Sequence, residues 1–221
     1  VAIVPLHGVL TATTGLATEE LQISSDDFLA EFREKENDPS VSTIVLSVDS
    51  PGGSLAAGGE IAQAIADSSK PTVAWVRDRA LSAAYRAILG ADAIVASIDS
   101  DVGSIGAIFS FVDFAKQNQQ QGLTYNVVSS GTFKDVASEN RPFSKADRAL
   151  LERDVKIMHN NFVKAVADAR GLPVEHVNEL DDGSSWLGET AKENGLIDVV
   201  GGMKEVQQWL EAQIGIAEFC P

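Results

Sequence analysis

The stretch Val41 to Val48 is an almost unbroken apolar run that ends at Pro51-Gly52-Gly53. A strand of that composition has no polar face to give to water. It must be covered on both sides, as a central strand of a parallel α/β sheet is. The residues around it keep the same rhythm. Val1 to Leu6 reads as a strand, with Pro5 limiting one side of its pairing. Residues 11–24 are small and polar and predict a loop. Ser25-Asp26-Asp27 opens a helix to about Lys35, with acidic residues in its first turn. Beyond the glycines, Ser54 to about Ser68 has helical spacing, Pro71 to Val76 is strand-like, Ser82 to about Leu89 is helical and Ala93 to Ser97 is a short strand. Such alternation predicts βαβ units, right-handed crossovers and a mainly parallel sheet.

The second half is less regular. Gly103 to Phe109 reads as a turn feeding a strand, Asp113 to Gln121 as a helix, Leu123 to Val128 as a strand and Ser129 to Phe143 as a loop. Ser144 with Asp147 three residues on resembles a capping box, and opens a long helix to Arg170. Leu150, Leu151, Val155, Met158, Phe162 and Val166 supply its apolar stripe; Gly171 and Pro173 stop it. His176 falls in a polar loop. Trp186 to Asn194 predicts a short helix, Leu196 to Val200 a strand and Met203 to Ile214 a last helix. With no linker, repeat or low-complexity tract, residues 1–221 are expected to form one domain.

Charge narrows the function classes. The 32 acidic residues against 17 Lys and Arg give a net charge of −15, which repels phosphate backbones and argues against a nucleic-acid partner. The one cysteine, Cys220, allows no disulfide within the chain and no cysteine-based metal site. No apolar run reaches the roughly 18 residues a membrane span needs. No signal peptide precedes Val1. The chain opens on a strand without Met, which suggests a soluble piece of a longer, membrane-anchored protein.

Two strand-to-helix junctions carry the chemistry. In Ser50-Pro51-Gly52-Gly53, proline and glycine make a tight turn, and two glycines can also turn bare N–H groups outward beside a helix N-terminus. Such donors stabilise a developing oxyanion. At Leu81-Ser82-Ala83-Ala84-Tyr85, Ser82 is either a helix cap or a nucleophile framed by small residues, with the N–H of Ala83 as a second oxyanion donor. A nucleophilic serine needs a base. His7, His159 and His176 stand in settings more typical of solvated or packed histidines, and a triad through His159 stays open. Among nine lysines, Lys134 differs. It follows Ser129-Ser130-Gly131-Thr132-Phe133 just past a strand end, whereas most others sit on polar helix faces. As a base it must be neutral near pH 7, a state that burial in an apolar pocket favours.

Asp49-Ser50-Pro51-Gly52-Gly53-Ser54, Leu81-Ser82-Ala83-Ala84-Tyr85, Gly103-Ser104-Ile105-Gly106, Lys134-Asp135 and Gly195-Leu196-Ile197-Asp198 follow one another along nearly the whole chain. Each motif is weak alone. Together, in this order and at these separations, they resemble the signal peptide peptidase A family of serine peptidases. The resemblance implies a Ser-Lys dyad with Ser82 as nucleophile and Lys134 as general base. It also implies Ser104 as the serine that orients the lysine, and an oxyanion hole from the N–H groups of Gly53 and Ala83. The implied fold is the spiralled α/β core of the Clp protease and crotonase superfamily. No metal or organic cofactor is implied. Substrates would be unfolded or signal-peptide-like chains with apolar side chains. Subunits would assemble into a ring or dome. Membrane association would come only through a segment this chain lacks. Family members often carry an aromatic pair after the nucleophile region. Here Tyr85 is followed by Arg86, which bears on the substrate pocket. The opening residues have some of the character of the related phage capsid-maturation proteases. Asp182 to Gly188 resembles the cellular, membrane-associated bacterial type better. The competing classes are a crotonase-like acyl-CoA enzyme and a non-catalytic assembly protein.

Overall fold

In the computed structural model, which describes residues 1–13 and 21–214, the first strand is β1 (Ala2–His7). The short strands β2 (Val9–Thr11) and β3 (Gln22–Ser24) pair in parallel, so the predicted loop is partly ordered; residues 14–20 of it lie outside the described residues. Helix α1 (Ser25–Asn37) begins at Ser24, whose hydroxyl oxygen accepts the Asp27 N–H at 3.0 Å. Then come β4 (Ile44–Ser50), α2 (Leu55–Ala66), β5 (Thr72–Leu81), α3 (Ala83–Ile88), β6 (Ala93–Ala96) and β7 (Asp101–Gly103). The chain continues through α4 (Ala115–Gln120), α5 (Lys145–Arg170), α6 (Val174–Asn178), β8 (Ser185–Leu187), α7 (Gly188–Glu193), β9 (Val199–Val200) and α8 (Met203–Ile214).

Strands β1, β4, β5, β6 and β9 lie side by side in that order, all parallel, as the apolar runs require. β5 is ten residues long and serves two neighbours. Its first half, Val73 to Val76, pairs with β6; its second half, Arg79 to Leu81, pairs with β7. Between these partners Ser100 turns inward, and its hydroxyl lies 3.2 Å from the Val76 carbonyl and 3.3 Å from that of Arg77. β8 closes the β7 edge antiparallel. One face of the sheet packs against Phe28 and Phe32 of α1, Ile61 and Ile65 of α2, and Phe162 and Val166 of α5. On the other, Val45, Val73 and Val95 meet Val206 and Leu210 of α8. The parallel sheet is therefore covered on both faces, which accounts for the apolar Ile44, Val45, Leu46 and Val48 of β4.

The chain divides into two compact units. The first holds residues 1–106 and the chain from Asn161 onward, and contains this sheet and core. The second is Ala107–Asn160, so the division falls within α5. Among the described residues, the second unit buries no apolar side chain; its single buried residue is Asp147. Four sequence expectations are corrected. Leu123 to Val128 forms no strand; Leu123, Tyr125 and Val127 alternate as a strand's would, yet no ladder takes them and they stay exposed. The strand expected after Gly103 is likewise absent, because the ladder is β7, on the other side of that glycine. Trp186 lies in β8, and the helix begins only at Gly188. His176 is in α6, not in a loop. In the first three cases local pattern cannot say whether a partner strand exists.

Candidate active site

Strand β5 ends at Leu81 and α3 begins at Ala83, so the whole change of direction falls on Ser82. Its backbone has φ +52° and ψ −122°, a conformation that side chains rarely adopt. Its N–H donates to the Gly103 carbonyl at 2.8 Å and its carbonyl accepts the Arg86 N–H at 3.0 Å. The hydroxyl, however, does not cap the helix. A capping serine accepts a hydrogen bond from the first turn, as Ser24 and Ser54 do in α1 and α2. Ser82 holds a cap's position without doing a cap's work. The first N–H groups of α3 therefore have no intrahelical acceptor and no side-chain cap. Tyr85 anchors α3 from behind. It is fully buried, and its hydroxyl donates to the Leu196 carbonyl at 2.8 Å. Burial pushes its pKa well above the usual tyrosine range, so it stays a donor.

The glycine turn abuts this junction. A Cβ added to Gly52 would lie 2.8 Å from Ser82 Cβ, 2.6 Å from the Leu81 carbonyl oxygen and 3.0 Å from Ala83 N. Backbone alone fits there. Ser50, fully buried, fixes the turn: its hydroxyl donates to the Gly8 carbonyl at 2.6 Å and accepts the Gly52 N–H at 3.1 Å. Gly53 forms a parallel bridge with Leu10. The Leu10 N–H donates to the Gly52 carbonyl at 2.8 Å and the Ser54 N–H donates to the Leu10 carbonyl at 2.9 Å. In that pattern the bonds to Leu10 come from the residues flanking Gly53. Its own N–H and carbonyl face the other way. The φ of Gly53, +141°, and a notional Cβ 2.2 Å from the Leu10 oxygen bar any side chain here. Ser50 and Leu10 were not singled out from sequence; the Ser-Pro-Gly-Gly string was the available signal for Ser50, and nothing local marked Leu10.

The remaining candidates are divided between the units. Ser104 follows Gly103, the residue that accepts the Ser82 N–H, and has φ +51°. Ser82, Ser104 and Ala137 are the non-glycine residues with positive φ among the described residues, so two of the three strained positions are serines already marked by motif. Gly53, Ala83, Ser82 and Ser104 all belong to the first unit; Lys134 belongs to the second. Lys134 is exposed, in a turn where its N–H donates to the Gly131 carbonyl at 3.2 Å. Two histidines do structural work: His7 Nε2 is 3.1 Å from Ser47 Oγ, and His176 Nε2 is 3.2 Å from the Asn194 carbonyl. His159 lies on α5 in the second unit. That unit also has an open cleft of about 640 Å³ lined by Ile108, Phe109, Phe111, Phe143, Leu151 and Val155. Among the described residues no cluster of His, Cys, Asp and Glu could hold a metal ion, and no helix is long and apolar enough to cross a membrane.

A family model described as peptidase family S49 matches residues 64–217. A Methanocaldococcus jannaschii protein named as a protease is 33% identical over 178 residues, covering 80% of this chain and 57% of that one. The chloroplastic serine protease SPPA of Arabidopsis thaliana is 28% identical over 207 residues, covering 92% of this chain and 31% of its own. The chain thus spans between about a third and somewhat over half of these relatives. Among solved structures, a ClpP1 mutant of Listeria monocytogenes superposes with a TM-score of 0.59 at 13% identity, over 90% of this chain and 91% of that one. That likeness shows the fold: a Clp protease-like α/β core with a mainly parallel sheet.

Proposed function

The chain belongs to peptidase family S49, and on that footing we propose that it hydrolyses peptide bonds with Ser82 as nucleophile and Lys134 as base. Ser82 Oγ attacks the scissile carbonyl carbon as neutral Lys134 Nζ takes the hydroxyl proton. The carbonyl oxygen gains the negative charge and is held by the N–H groups of Gly53 and Ala83. The tetrahedral adduct collapses, the C–N bond breaks, and the protonated lysine gives its proton to the leaving amine. Water then attacks the acyl-serine, again losing a proton to Lys134, and the free acid and Ser82 are released. Ser104, one residue past the acceptor of the Ser82 N–H, is the orienting hydroxyl for the lysine.

The observation that carries this reading is the Ser82 junction. A strained serine with an unused hydroxyl stands beside free helix-start N–H groups and a side-chain-free glycine turn. A lysine exposed in the single chain has the wrong surroundings for a neutral base, so catalysis requires that Lys134 be desolvated when substrate or a neighbouring copy closes over it. Assembly into a ring or dome suits this need, and the exposed Ile108, Val112, Leu123 and Val128 of the second unit offer the apolar surface for it. Extended, signal-peptide-like chains are the substrates that fit a nucleophile site lined by backbone and small residues.

Ser82→Ala should lower peptide hydrolysis by at least three orders of magnitude, because the parts of a nucleophilic unit fail together, while circular dichroism stays unchanged. Lys134→Ala should do nearly as much. Wild-type activity should rise with pH as the amine loses its proton. Turnover retained by Ser82→Ala, or an unchanged rate in Lys134→Ala, removes the residue concerned from its role.

A further inference from the structure

The second unit has no apolar core, yet one of its groups is almost inaccessible: the side chain of Asp147 is 3% exposed. What covers it is a set of polar partners. Arg141 Nη1 and Nη2 both donate to the Asp147 carboxylate, the latter at 3.0 Å. Ser144 adds its hydroxyl at 2.8 Å and its N–H at 3.1 Å, and the Asp147 N–H returns a bond to Ser144 Oγ. The same guanidinium grips Asp135 with both prongs, Nε to Oδ2 at 2.8 Å and Nη2 to Oδ1 at 3.2 Å, and also reaches the Asp135 carbonyl at 3.2 Å. Five of its polar contacts therefore tie the turn around residue 135 to the first turn of α5. Asp135 is the residue next to Lys134, and among the described residues no ion pair links the two.

We infer that Arg141 is a positioning residue for Lys134: it holds the 131–141 turn against α5 and draws the adjacent Asp135 carboxylate away from the lysine amine. This rests on the proposed role of Lys134 as base. An uncompensated carboxylate beside a lysine holds the proton on the amine and opposes a base that must be neutral. Two carboxylates against one guanidinium leave this cluster at one negative charge; without Arg141 it carries two. In keeping with the geometry, hydrogen bonds from Arg141 are the leading cause that lowers the pKa of both Asp135 and Asp147. The other charged groups on the elements around the turn include Glu139, Lys145, Arg148 and Glu152, with Asp113 and Lys116 at α4. The Glu139 carbonyl accepts the Phe114 N–H, and Arg148 lies over the Phe143 ring at 5.3 Å and pairs with Glu152 at 3.7 Å. They do not replace the clamp.

The test uses the chain as described, assayed for peptide hydrolysis between pH 6 and 10. In parallel, the reaction of Lys134 with an acylating amine reagent is followed by peptide mass spectrometry in a Ser82→Ala background. Arg141→Gln should move the acid limb of the rate profile, and the midpoint of Lys134 labelling, up by about half to one pH unit. Asp135→Asn, which removes a negative charge and leaves Arg141 in place, should move both down. Arg141→Lys keeps the charge and loses the fork; its limb should stay near wild type with a lowered maximal rate. Midpoints that do not move, or that move the same way in Arg141→Gln and Asp135→Asn, overturn the inference. If Arg141→Gln does not fold, Asp135→Asn decides alone: a downward shift supports the role and an unmoved midpoint ends it. An active Lys134→Ala enzyme would sink the dyad instead, and the labelling midpoints would still judge the clamp.

Discussion

The two units of this chain are built on opposite principles. The first is a doubly covered parallel sheet whose strands are apolar because both faces are buried; Val45, Leu46 and Val48 of β4 are fully enclosed. The second has exposed apolar residues, an open cleft and an arginine between two aspartates where a core would be. The proposed nucleophile and oxyanion donors lie in the first, and the proposed base in the second. The serine junction needs strain, with φ positive at Ser82, Ser104 and Gly53. Only a rigid, over-determined surround can hold such conformations. The proposed base, exposed on the second unit, needs the reverse, a surface that something else completes.

This contrast is broken most sharply at the glycine turn. Gly53→Ala puts a methyl 2.2 Å from the Leu10 oxygen at φ +141°, so the bridge must open and the Gly53 N–H must turn away. Losing one oxyanion donor costs about 10²- to 10³-fold in kcat. The effect should be confined to the first unit, with hydrogen exchange in 107–160 unchanged. Gly53→Ala with near wild-type kcat would show that this N–H is not a donor. Next in size is a matched pair of core tests. Ile61→Ala, from a fully buried position, should cost about 2–5 kcal/mol in urea unfolding. Val128→Ser, at a position wholly exposed in the chain, should change unfolding by less than about 0.5 kcal/mol, and should instead weaken self-association in sedimentation. If Val128→Ser left association untouched at micromolar concentration, the segment would not be an assembly surface.

How far the sequence spoke follows the same division. In the first unit the burial of β4, β5 and β6 is written in their own composition, and helix starts are written near Ser25-Asp26-Asp27 and at Ser54; in the second, the Ser144–Asp147 box marks the start of α5. The β1-β4-β5-β6 core was therefore legible, and so were the strand-to-helix junction at Ser82 and the glycine turn. What was not legible depended on distant partners. That β5 changes neighbour from β6 to β7 is fixed by Ser100 reaching back to Val76 and Arg77. Leu10 supports Gly53 through backbone bonds any residue could make. Leu123 to Val128 has the alternation of a strand, but a strand exists only when another lies beside it. Lys134 was legible as an unusual lysine through its motif, yet its exposure and the Arg141 clamp could not be read from spacing. An arginine six residues from each of two aspartates is unremarkable until the turn folds.

The smallest effect separates the units by what holds them. Asp135 and Asp147 have depressed pKa values in the folded chain, chiefly through hydrogen bonds from Arg141. Groups of that kind contribute stability that is full above their unfolded pKa, near 4, and is lost as pH falls through the folded values. The apolar core of the first unit has no such dependence. On acidification below about pH 4, amide exchange at Ser144 and Asp147 should accelerate first, while β4 and β5 stay protected. Screening by salt should advance the loss, since these carboxylates are shielded by their own partners and not by a deep interior. Were the β4 and β5 amides to open at the same pH as the clamp, the two units would be one cooperative structure, and the division of labour argued above would have no thermodynamic counterpart.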